Sequence, residues 1–267
     1  MFKNIILFSH KEGQKKLGVD LTPNILKKYI KYSNLYNVNT TNNLNKNLEN
    51  LYKVNCIIKE PRLNIGGDHS MSISTVADSL NKYNNIKLIW IDAHCDINTY
   101  KSSRTKNVHG MPLSILTGLD NRTRNSFSFL KDIPLLDLKN ILYLGIRDID
   151  PYEKDILEKY NIKYIDVNEI NNFPYNVLNK MEEFIENNPV HLSFDVDSID
   201  PYFIPSTGTS VKNGICLDTA NFLFNEMKNY NIISMDFTEL NLNIGNEKDR
   251  KKSLCNSVKL LNNFIYR

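Results

Sequence analysis

An apolar run followed by alternating acids and an imidazole constrains this chain more than any other stretch. Residues 86–91 read IKLIWI, which lacks a helical period and predicts a buried parallel strand. Asp92, His94 and Asp96 follow directly, separated by single small residues. If the chain stays extended past the strand, its two-residue period turns these three side chains to the same side. The stretch therefore predicts half of a metal site.

Strand and helix signals alternate along the chain, which predicts a doubly wound α/β fold with a mainly parallel central sheet. The predicted strands are residues 4–9, 63–65, 86–91, 140–145, 163–165, 190–194 and 232–237. The predicted helices are residues 70–83, 151–160, 174–187, 218–229 and 251–266, and one more that begins at Thr22 as N-cap and Pro23 as first residue. The Asn-rich residues 32–50 predict a tolerant surface segment. No repeat or domain boundary divides residues 1–267, so we expect one domain.

Composition excludes several classes of protein. The 267 residues carry a net charge of +3, with 41% hydrophobic and 24% charged residues, as ordinary globular proteins do. The excess of base is too small and too scattered to predict nucleic-acid binding. No apolar run approaches the roughly 20 residues of a membrane helix. The N-terminus lacks a signal peptide, and the four cysteines show no paired spacing. These features predict free thiols and a cytoplasmic protein.

Three other predicted strands also end in polar residues. Residues 63–65 lead into GGDHS at residues 66–70, which contains His69; residues 190–194 lead into Asp195 and Asp197; and residues 232–237 lead to Glu239. Ligands bind at the carboxyl ends of the strands in such sheets. Buried carboxylates need cations to neutralise them. We therefore expect these strand ends to complete the metal site.

The charges of this set predict which metal it binds. Four carboxylates (Asp92, Asp96, Asp195 and Asp197) balance two divalent ions, and His69 and His94 supply one imidazole for each. An oxygen-rich set with one nitrogen per metal suits Mn²⁺ better than structural Zn²⁺. Two such ions can lower the pKa of a shared water and direct it as hydroxide at an electrophilic carbon.

Six segments together resemble the arginases of the ureohydrolase family. They are GGDHS at residues 66–70, DAHCDIN at 92–98, HGMP at 109–112, SFDVDSIDP at 193–201, STGT at 206–209 and MDFTELN at 235–241. Because they occur in order over most of the chain, they are far more specific together than any one alone. The resemblance implies an arginase-like three-layer α/β/α fold and a binuclear manganese hydrolase. Its reaction would convert L-arginine to L-ornithine and urea by attack of a metal-bridging hydroxide.

The resemblance also implies roles for individual residues. One Mn²⁺ would be held by His69, Asp92, Asp96 and Asp195, and the other by His94, Asp92, Asp195 and Asp197. Asp96 would also act as general acid toward the leaving amine. His109 matches the family's proton-shuttle histidine. Glu239 would pair with the substrate guanidinium and hold its carbon over the hydroxide.

Two further segments bear on the choice of substrate. Asn98, Thr105 and Asn107 match the loop that contacts the substrate carboxylate in arginases, with Thr105 standing where the family has Ser. GIRDIDPYE at residues 145–153 resembles the motif whose acids, here Asp150 and Glu153, read the α-amino group. These acids favour arginine over agmatine, which has no carboxylate, and over formiminoglutamate, whose negative tail they would repel.

The chain departs from the family pattern at several positions. Cys95 replaces a usual Thr between two ligands, and the alternation predicts packing for it rather than ligation. Leu242 replaces a Pro after the Glu239 motif, and Asn213 replaces a Gly. The resemblance implies a trimer or hexamer, but around Asp218 the chain lacks the basic residue that helps join subunits in animal arginases.

Other interpretations apply to polar residues outside the ligand set. We expect Asp68 to cap the following helix and His10 to be exposed in a loop. His191 is in phase with Asp195, so it either lies just outside the ligands or is a buried histidine with a backbone partner. Two other functions also stay open: another ureohydrolase, acting on agmatine or a guanidino acid, and a non-catalytic arginine-binding protein.

Overall fold

The computed structural model describes residues 2–265, which contain one eight-stranded, wholly parallel sheet. The strands are β1 (Asn4–Phe8), β2 (Asn34–Asn37), β3 (Arg62–Gly66), β4 (Lys87–Ile91), β5 (Ile141–Leu144), β6 (Lys163–Ile165), β7 (Val190–Asp195) and β8 (Ile232–Thr238). Their order across the sheet is β2-β1-β3-β8-β7-β4-β5-β6. Seven of the eight strands lie within two residues of the predicted bounds, which confirms the predicted sheet.

The helices cover both faces of this sheet. They are α1 (Thr22–Leu26), α2 (Leu44–Ile57), α3 (Ser72–Lys82), α4 (Pro112–Leu116), α5 (Asn121–Arg124), α6 (Pro151–Lys159), α7 (Val167–Asn172), α8 (Pro174–Ile185), α9 (Leu217–Met227) and α10 (Glu247–Ile265). The predicted helix 251–266 corresponds to α10, but Tyr266 lies outside the described residues. Among the described residues, no helix combines the length and apolar character needed to cross a membrane.

Two hydrophobic cores result from the alternation of side chains along the strands. On β4, Leu88 and Trp90 pack in one core with α2, α3, α4 and α6. Ile89 and Ile91 pack in the other core with α1, α7, α8, α9 and α10. Because successive strand residues point to opposite faces, each buried strand contributes to both cores. The doubly wound three-layer α/β/α prediction is therefore confirmed.

The Asn-rich segment is more regular than predicted. It contains the edge strand β2 and the first half of α2. Asn43 caps α2 by accepting a hydrogen bond from the backbone N–H of Lys46, and Leu48 and Leu51 are fully buried. Composition obscured these elements because β2 lies at the sheet edge, where exposed polar side chains are common.

The first helix also differs from its prediction. Thr22 is the first helical residue of α1, preceded by Leu21 as N-cap. The Thr22 hydroxyl donates a hydrogen bond to the carbonyl of Leu240 and so makes a tertiary contact instead of a cap. Pro23 lies in the first turn, as predicted, because its missing N–H needs no partner there.

Candidate metal centre

The carboxyl ends of β3, β4 and β7 bring the six predicted ligands together. Two groups of side chains have ligand atoms that all lie within 4.8 Å of one another: His69, Asp92 and Asp195, and Asp92, His94 and Asp197. Asp92 belongs to both groups, through a different oxygen for each histidine. This sharing fits a pair of adjacent cations bridged by one carboxylate.

Tight turns at the carboxyl ends of β4 and β7, and not extended strands, orient the side chains of Asp92 and Asp195. Oδ1 of Asp92 accepts a hydrogen bond of 2.8 Å from the backbone N–H of His94. Oδ1 of Asp195 accepts the same kind of bond, also 2.8 Å, from the N–H of Asp197. Such Asx turns leave the second carboxylate oxygen free to face another group. The same type of turn therefore orients the ligands that follow β4 and those at the end of β7.

Asp96 shows where the predicted alternation was wrong. Strand β4 ends at Ile91, and the backbone of Asp96 is left-handed, with φ of 50°. This conformation is uncommon for a residue with a Cβ, although Asp tolerates it better than most. It brings Oδ2 of Asp96 to 3.1 Å from Nδ1 of His69. The carboxylate reaches the site through a backbone turn that an extended period does not describe.

His69 is oriented by contacts on both sides of its ring. Its ring stacks on Trp90, with centroids 4.1 Å apart, and the indole N–H of Trp90 donates to Oδ2 of Asp92. Nε2 of His69 lies 2.8 Å from Oγ of Ser193. Nδ1 has no hydrogen-bond partner, yet it faces Oδ2 of Asp92 at 3.1 Å and Oδ2 of Asp195 at 3.3 Å. A buried ring nitrogen among carboxylate oxygens is suited to a cation.

His94 occupies the corresponding position in the second group. Its Nδ1 lies 3.4 Å from Oδ1 of Asp92 and 3.2 Å from Oδ2 of Asp197. The same oxygen of Asp197 accepts a hydrogen bond from the hydroxyl of Thr209. Asp148 lies 3.7 Å from Nε2 of His94, on the solvent side. Both ring nitrogens of His94 thus have acidic neighbours.

Asp96, Asp195 and Asp197 bind protons more tightly than usual, whereas burial would raise the pKa of Asp92 but hydrogen bonds from His69 and His94 hold it below its ordinary value. Burial, with the charges of Asp197 and Asp92, raises the pKa of Asp195 well above its ordinary value. Burial and the charge of Asp92 raise the pKa of Asp96 to about 6. Burial alone would lower the pKa of His69, but its carboxylate neighbours raise it well above its ordinary value. The site has too little positive charge of its own, and divalent cations would supply it.

A second group of polar residues lies beside the metal ligands. Oε1 of Glu239 accepts hydrogen bonds from the backbone N–H of His69 and from Nδ1 of His109, at 2.9 and 3.0 Å. Oε2 accepts a third, of 2.7 Å, from Nε2 of Gln14. Burial opposes the ion pair, but His109 lowers the pKa of Glu239, and Glu239 raises the pKa of His109 to about 9. The pair is therefore charged near neutral pH.

An open cavity of about 300 Å³ lies over the centre. Its lining includes five residues predicted to contact substrate: Asn98, Thr105, Asn107, Asp150 and Glu153. It also includes metal-centre residues on its floor, among them His94, Asp96 and Asp195. Glu239 is not among the lining residues, and its carboxylate is hydrogen-bonded to Gln14 and to His109.

The residues predicted to contact the α-carboxylate of the substrate are hydrogen-bonded to those predicted to contact its α-amino group. Nδ2 of Asn98 donates a 2.9 Å hydrogen bond to Oδ2 of Asp150. Asp150 is the N-cap of α6, and Glu153 accepts from the backbone N–H of Asp150 and of Ile97. The hydroxyl of Thr105 accepts from the N–H of Asn107. The predicted carboxylate-binding loop is thus held to the predicted amine-binding motif by the hydrogen bond between Asn98 and Asp150.

Several cavity and rim residues were not predicted. They are Gln14, Ser103, Arg104, Asp148 and Thr209. Asp148 falls inside the quoted motif at residues 145–153, and Arg104 is the neighbour of Thr105, so the positions of both could have been inferred. Gln14 contacts Glu239 across 225 residues, and no local pattern indicates such a contact.

His10 was wrongly predicted to be exposed. It is fully buried, stacks on Phe8 and lies 2.7 Å from Oε2 of Glu12. The carbonyl of His10 approaches Gly67 so closely that a Cβ at that position would lie 1.6 Å from it. The second glycine of GGDHS therefore permits backbone packing and is not part of a phosphate loop.

Other expectations agree with the structure. Asp68 caps the turn that leads into α3 by accepting from the N–H of Ser70. Cys95 is fully buried among the apolar residues of one core, which confirms its packing role. Leu242 packs against the other core. Asn213 adopts a left-handed backbone with φ of 60°, which Asn tolerates where the family has Gly.

Known proteins resemble this chain over most of its length. It is 36% identical to an arginase of Neurospora crassa over 243 residues, which are 87% of this chain and 66% of that protein. It is 38% identical to an arginase of Plasmodium falciparum over 225 residues, which are 82% of this chain and 54% of that protein. The aligned part of the chain thus spans about half to two thirds of the length of these curated relatives.

Two solved structures show the same fold. The arginase of Entamoeba histolytica, crystallised with L-ornithine, is 28% identical, with a TM-score of 0.85 over 97% of this chain and 98% of that one. An arginase of Bacillus subtilis is 25% identical, with a TM-score of 0.89 over 100% of this chain and 99% of that one. The sequence pattern of the Arginase family matches residues 9–261. The chain belongs to the arginase family.

Proposed function

We propose that the protein hydrolyses the guanidinium group of L-arginine to give L-ornithine and urea, using two Mn²⁺ ions. The observation that carries this proposal is the sharing of Asp92 between two clusters of metal-ligating side chains. The identity to named arginases supports the choice of reaction. We further propose that residues 1–267 act as a single catalytic domain.

The donor set fits the proposed metal. One ion would be held by His69, Asp92, Asp96 and Asp195, and the other by His94, Asp92, Asp195 and Asp197. The unpartnered Nδ1 of His69 and the raised pKa values of Asp96 and Asp195 support a site for cations, because cations would satisfy this nitrogen and neutralise these carboxylates. Oxygen-rich donors with one imidazole per ion suit Mn²⁺. When bound, the metal pair supplies an activated water by lowering its pKa.

Three residues of the chain would carry the remaining chemistry. Glu239 would bind the guanidinium and orient its carbon, because it is a buried anion beside the metal ligands. His109 would carry protons between solvent and the site, since it is hydrogen-bonded to Glu239 and partly accessible. Asp96, whose carboxylate faces His69 and lines the cavity, would pass a proton to the leaving amine.

Substrate selection would depend on both ends of the amino acid. Asn98, Thr105 and Asn107 offer amide and hydroxyl groups to the α-carboxylate. Asp150 and Glu153 offer negative charge to the α-amino group. Agmatine lacks the carboxylate, so it would forgo the contacts of the first group.

The alternatives differ in what they would turn over. An enzyme for agmatine or another guanidino compound would not need contacts to an α-carboxylate. A non-catalytic arginine-binding protein would not need clustered metal ligands beside a charged Glu239 and His109 pair. We therefore favour an arginase over both.

The test is a substrate comparison on the purified protein, stripped of metal and reloaded with Mn²⁺. Urea should be released from L-arginine, with an equal amount of L-ornithine, and much more slowly from agmatine. Asp96→Asn tests the proposed roles of Asp96, because it retains the shape of the side chain but removes its charge and its capacity to transfer a proton. Agmatine turned over as fast as arginine would contradict the assigned substrate. Unchanged turnover by Asp96→Asn would contradict the role of Asp96.

Two broader features complete the proposal. The free cysteines Cys56, Cys95, Cys216 and Cys255 support a reducing compartment, and we propose the cytoplasm. We propose a small-molecule substrate as the partner, with neither nucleic acid nor membrane, and a homo-oligomer as in the family.

A further inference from the structure

A fully buried carboxylate on β8 receives four hydrogen bonds. Oδ2 of Asp236 accepts from Oγ of Ser72 at 2.8 Å, from Oγ1 of Thr75 at 2.5 Å and from Nε2 of His191 at 3.1 Å. Oδ1 accepts from Nδ2 of Asn64 at 3.0 Å. Burial opposes ionisation, but His191 and the hydroxyl donors lower the pKa of Asp236. The carboxylate is therefore ionised and can only accept.

One of these donors leads to a proposed metal ligand. Oγ of Ser72 lies 3.2 Å from Oγ of Ser193, and Oγ of Ser193 lies 2.8 Å from Nε2 of His69. All four residues in this path are buried to within 1% of full burial. The path runs from β8, through α3 and β7, to the imidazole beside Asp92.

The Asp236 carboxylate, which can only accept, sets the direction of every hydrogen bond in this path. A hydroxyl has a single hydrogen, and that of Ser72 points to the Asp236 carboxylate. The oxygen of Ser72 then accepts the hydrogen of Ser193. The oxygen of Ser193 in turn accepts from His69, which requires a hydrogen on Nε2. The remaining nitrogen, Nδ1, is the one that faces the carboxylates of the metal centre.

We propose that Asp236 is a positioning residue for the metal centre, acting through Ser72 and Ser193 on the ring of His69. The ionised carboxylate keeps hydrogen on Nε2 and leaves the Nδ1 lone pair for the metal. Outer partners of this kind set the tautomer and orientation of metal-ligating histidines. The inference rests on the proposed metal centre and extends it beyond the residues that touch the metal.

The chain offers a matched pair of substitutions to test this. Ser72 and Thr75 lie one turn apart on α3, and both donate to the same oxygen of Asp236. Only Ser72 continues to Ser193 and His69. Ser72→Ala interrupts the path, whereas Thr75→Val removes an equivalent donor outside it. Ala is favourable in a helix, so Ser72→Ala should fold.

The measurement is equilibrium Mn²⁺ binding to the metal-free proteins, read as free Mn²⁺ by electron paramagnetic resonance. Wild type should bind two ions per chain. Ser72→Ala should bind one of them about tenfold more weakly. Thr75→Val should retain wild-type affinity, although thermal unfolding of the metal-free proteins should show a similar loss of stability in both variants. Ser72→Thr, which keeps the hydroxyl, should bind both Mn²⁺ ions with wild-type affinity.

The outcomes separate this inference from the proposed function. Two Mn²⁺ ions bound by wild type, with equal affinities in Ser72→Ala and Thr75→Val, would overturn the positioning role and leave the metal centre intact. Failure of wild type to bind two ions would overturn the metal centre and the positioning role together. Neither reading depends on turnover, so an error in the assigned substrate does not affect it.

Discussion

Nδ1 of His109 lies 3.0 Å from Oε1 of Glu239, and the two residues form a partly buried ion pair beside the proposed metal ligands. The other oxygen of Glu239 is bound by Gln14, from a loop near the N-terminus. The carboxylate is therefore held at both oxygens before any substrate binds. A carboxylate fixed in this way can orient a guanidinium with little loss of its own freedom.

Replacing Glu239 by Gln should impair turnover without affecting metal. The substitution removes the charge that would pair with the guanidinium, at a cost of about 3 kcal/mol, or about a hundredfold in kcat/KM. Mn²⁺ stoichiometry should stay at two, because Glu239 belongs to neither ligand cluster. Steady-state kinetics and metal analysis check this. Loss of a metal ion from Glu239→Gln would mean that Glu239 has a different role.

Gln14→Ala should lower kcat/KM for arginine about tenfold. The variant loses a hydrogen bond to a charged carboxylate, worth about 1.5 kcal/mol at the lower end of such bonds. Lys15→Ala is the matched control, because Lys15 is the exposed neighbour of Gln14. Kinetics on the two variants side by side provide the measurement. If both variants equal wild type, Gln14 does not position Glu239.

Asp92→Asn should abolish the binding of both metal ions. Asp92 faces His69 with one oxygen and His94 with the other, so its charge serves both clusters. We expect less than one Mn²⁺ per chain and no detectable urea. Asp155→Asn, an exposed acid on α6, should leave both properties unchanged. An Asp92→Asn protein that retained two tightly bound ions would refute the bridging role.

Glu153 should make the metal-free protein less stable as pH rises. Burial, reinforced by Asp96, raises the pKa of Glu153 from 4.5 to about 7. The native state therefore binds this proton more tightly than the unfolded state, and its stability falls as pH rises through 4.5 to 7. Glu153→Gln removes this ionisation. Between pH 5 and 8 the free energy of unfolding should shift in favour of the variant by up to about 3 kcal/mol.

Urea-denaturation curves of both metal-free proteins at several pH values check this shift. Gln also occurs in capping boxes, so α6 should stay folded in the variant. Parallel pH profiles for wild type and Glu153→Gln would show that Glu153 titrates normally.

Local patterns carried most of the fold prediction. The strand at residues 86–91 and the acids after it were readable because apolar runs and short polar motifs are properties of neighbouring residues. The direction of the Asp96 side chain could not be predicted in this way, because the left-handed backbone of Asp96 interrupts the two-residue period on which the prediction rested. The ligand set was nevertheless collected at one edge, because the strands are parallel and their carboxyl ends meet there.

Contacts between segments that lie far apart in the chain could not be predicted from the sequence. His10 is buried by Asn47 and Ser70, which lie 37 and 60 residues away, and a loop histidine gives no sign of this. The bond between Gln14 and Glu239 is of the same kind. Helix α2 was missed because the Asn-rich composition of its first half was given more weight than the helical spacing of Leu44, Leu48 and Leu51.

Urea release measured during titration of the metal-free protein with Mn²⁺, at saturating L-arginine, tests the central claim most directly. Activity should be absent without metal, should rise with added Mn²⁺ and should stop rising at two ions per chain. Activity that is complete at one ion per chain, or that is present without any metal, would contradict a two-metal centre built around Asp92.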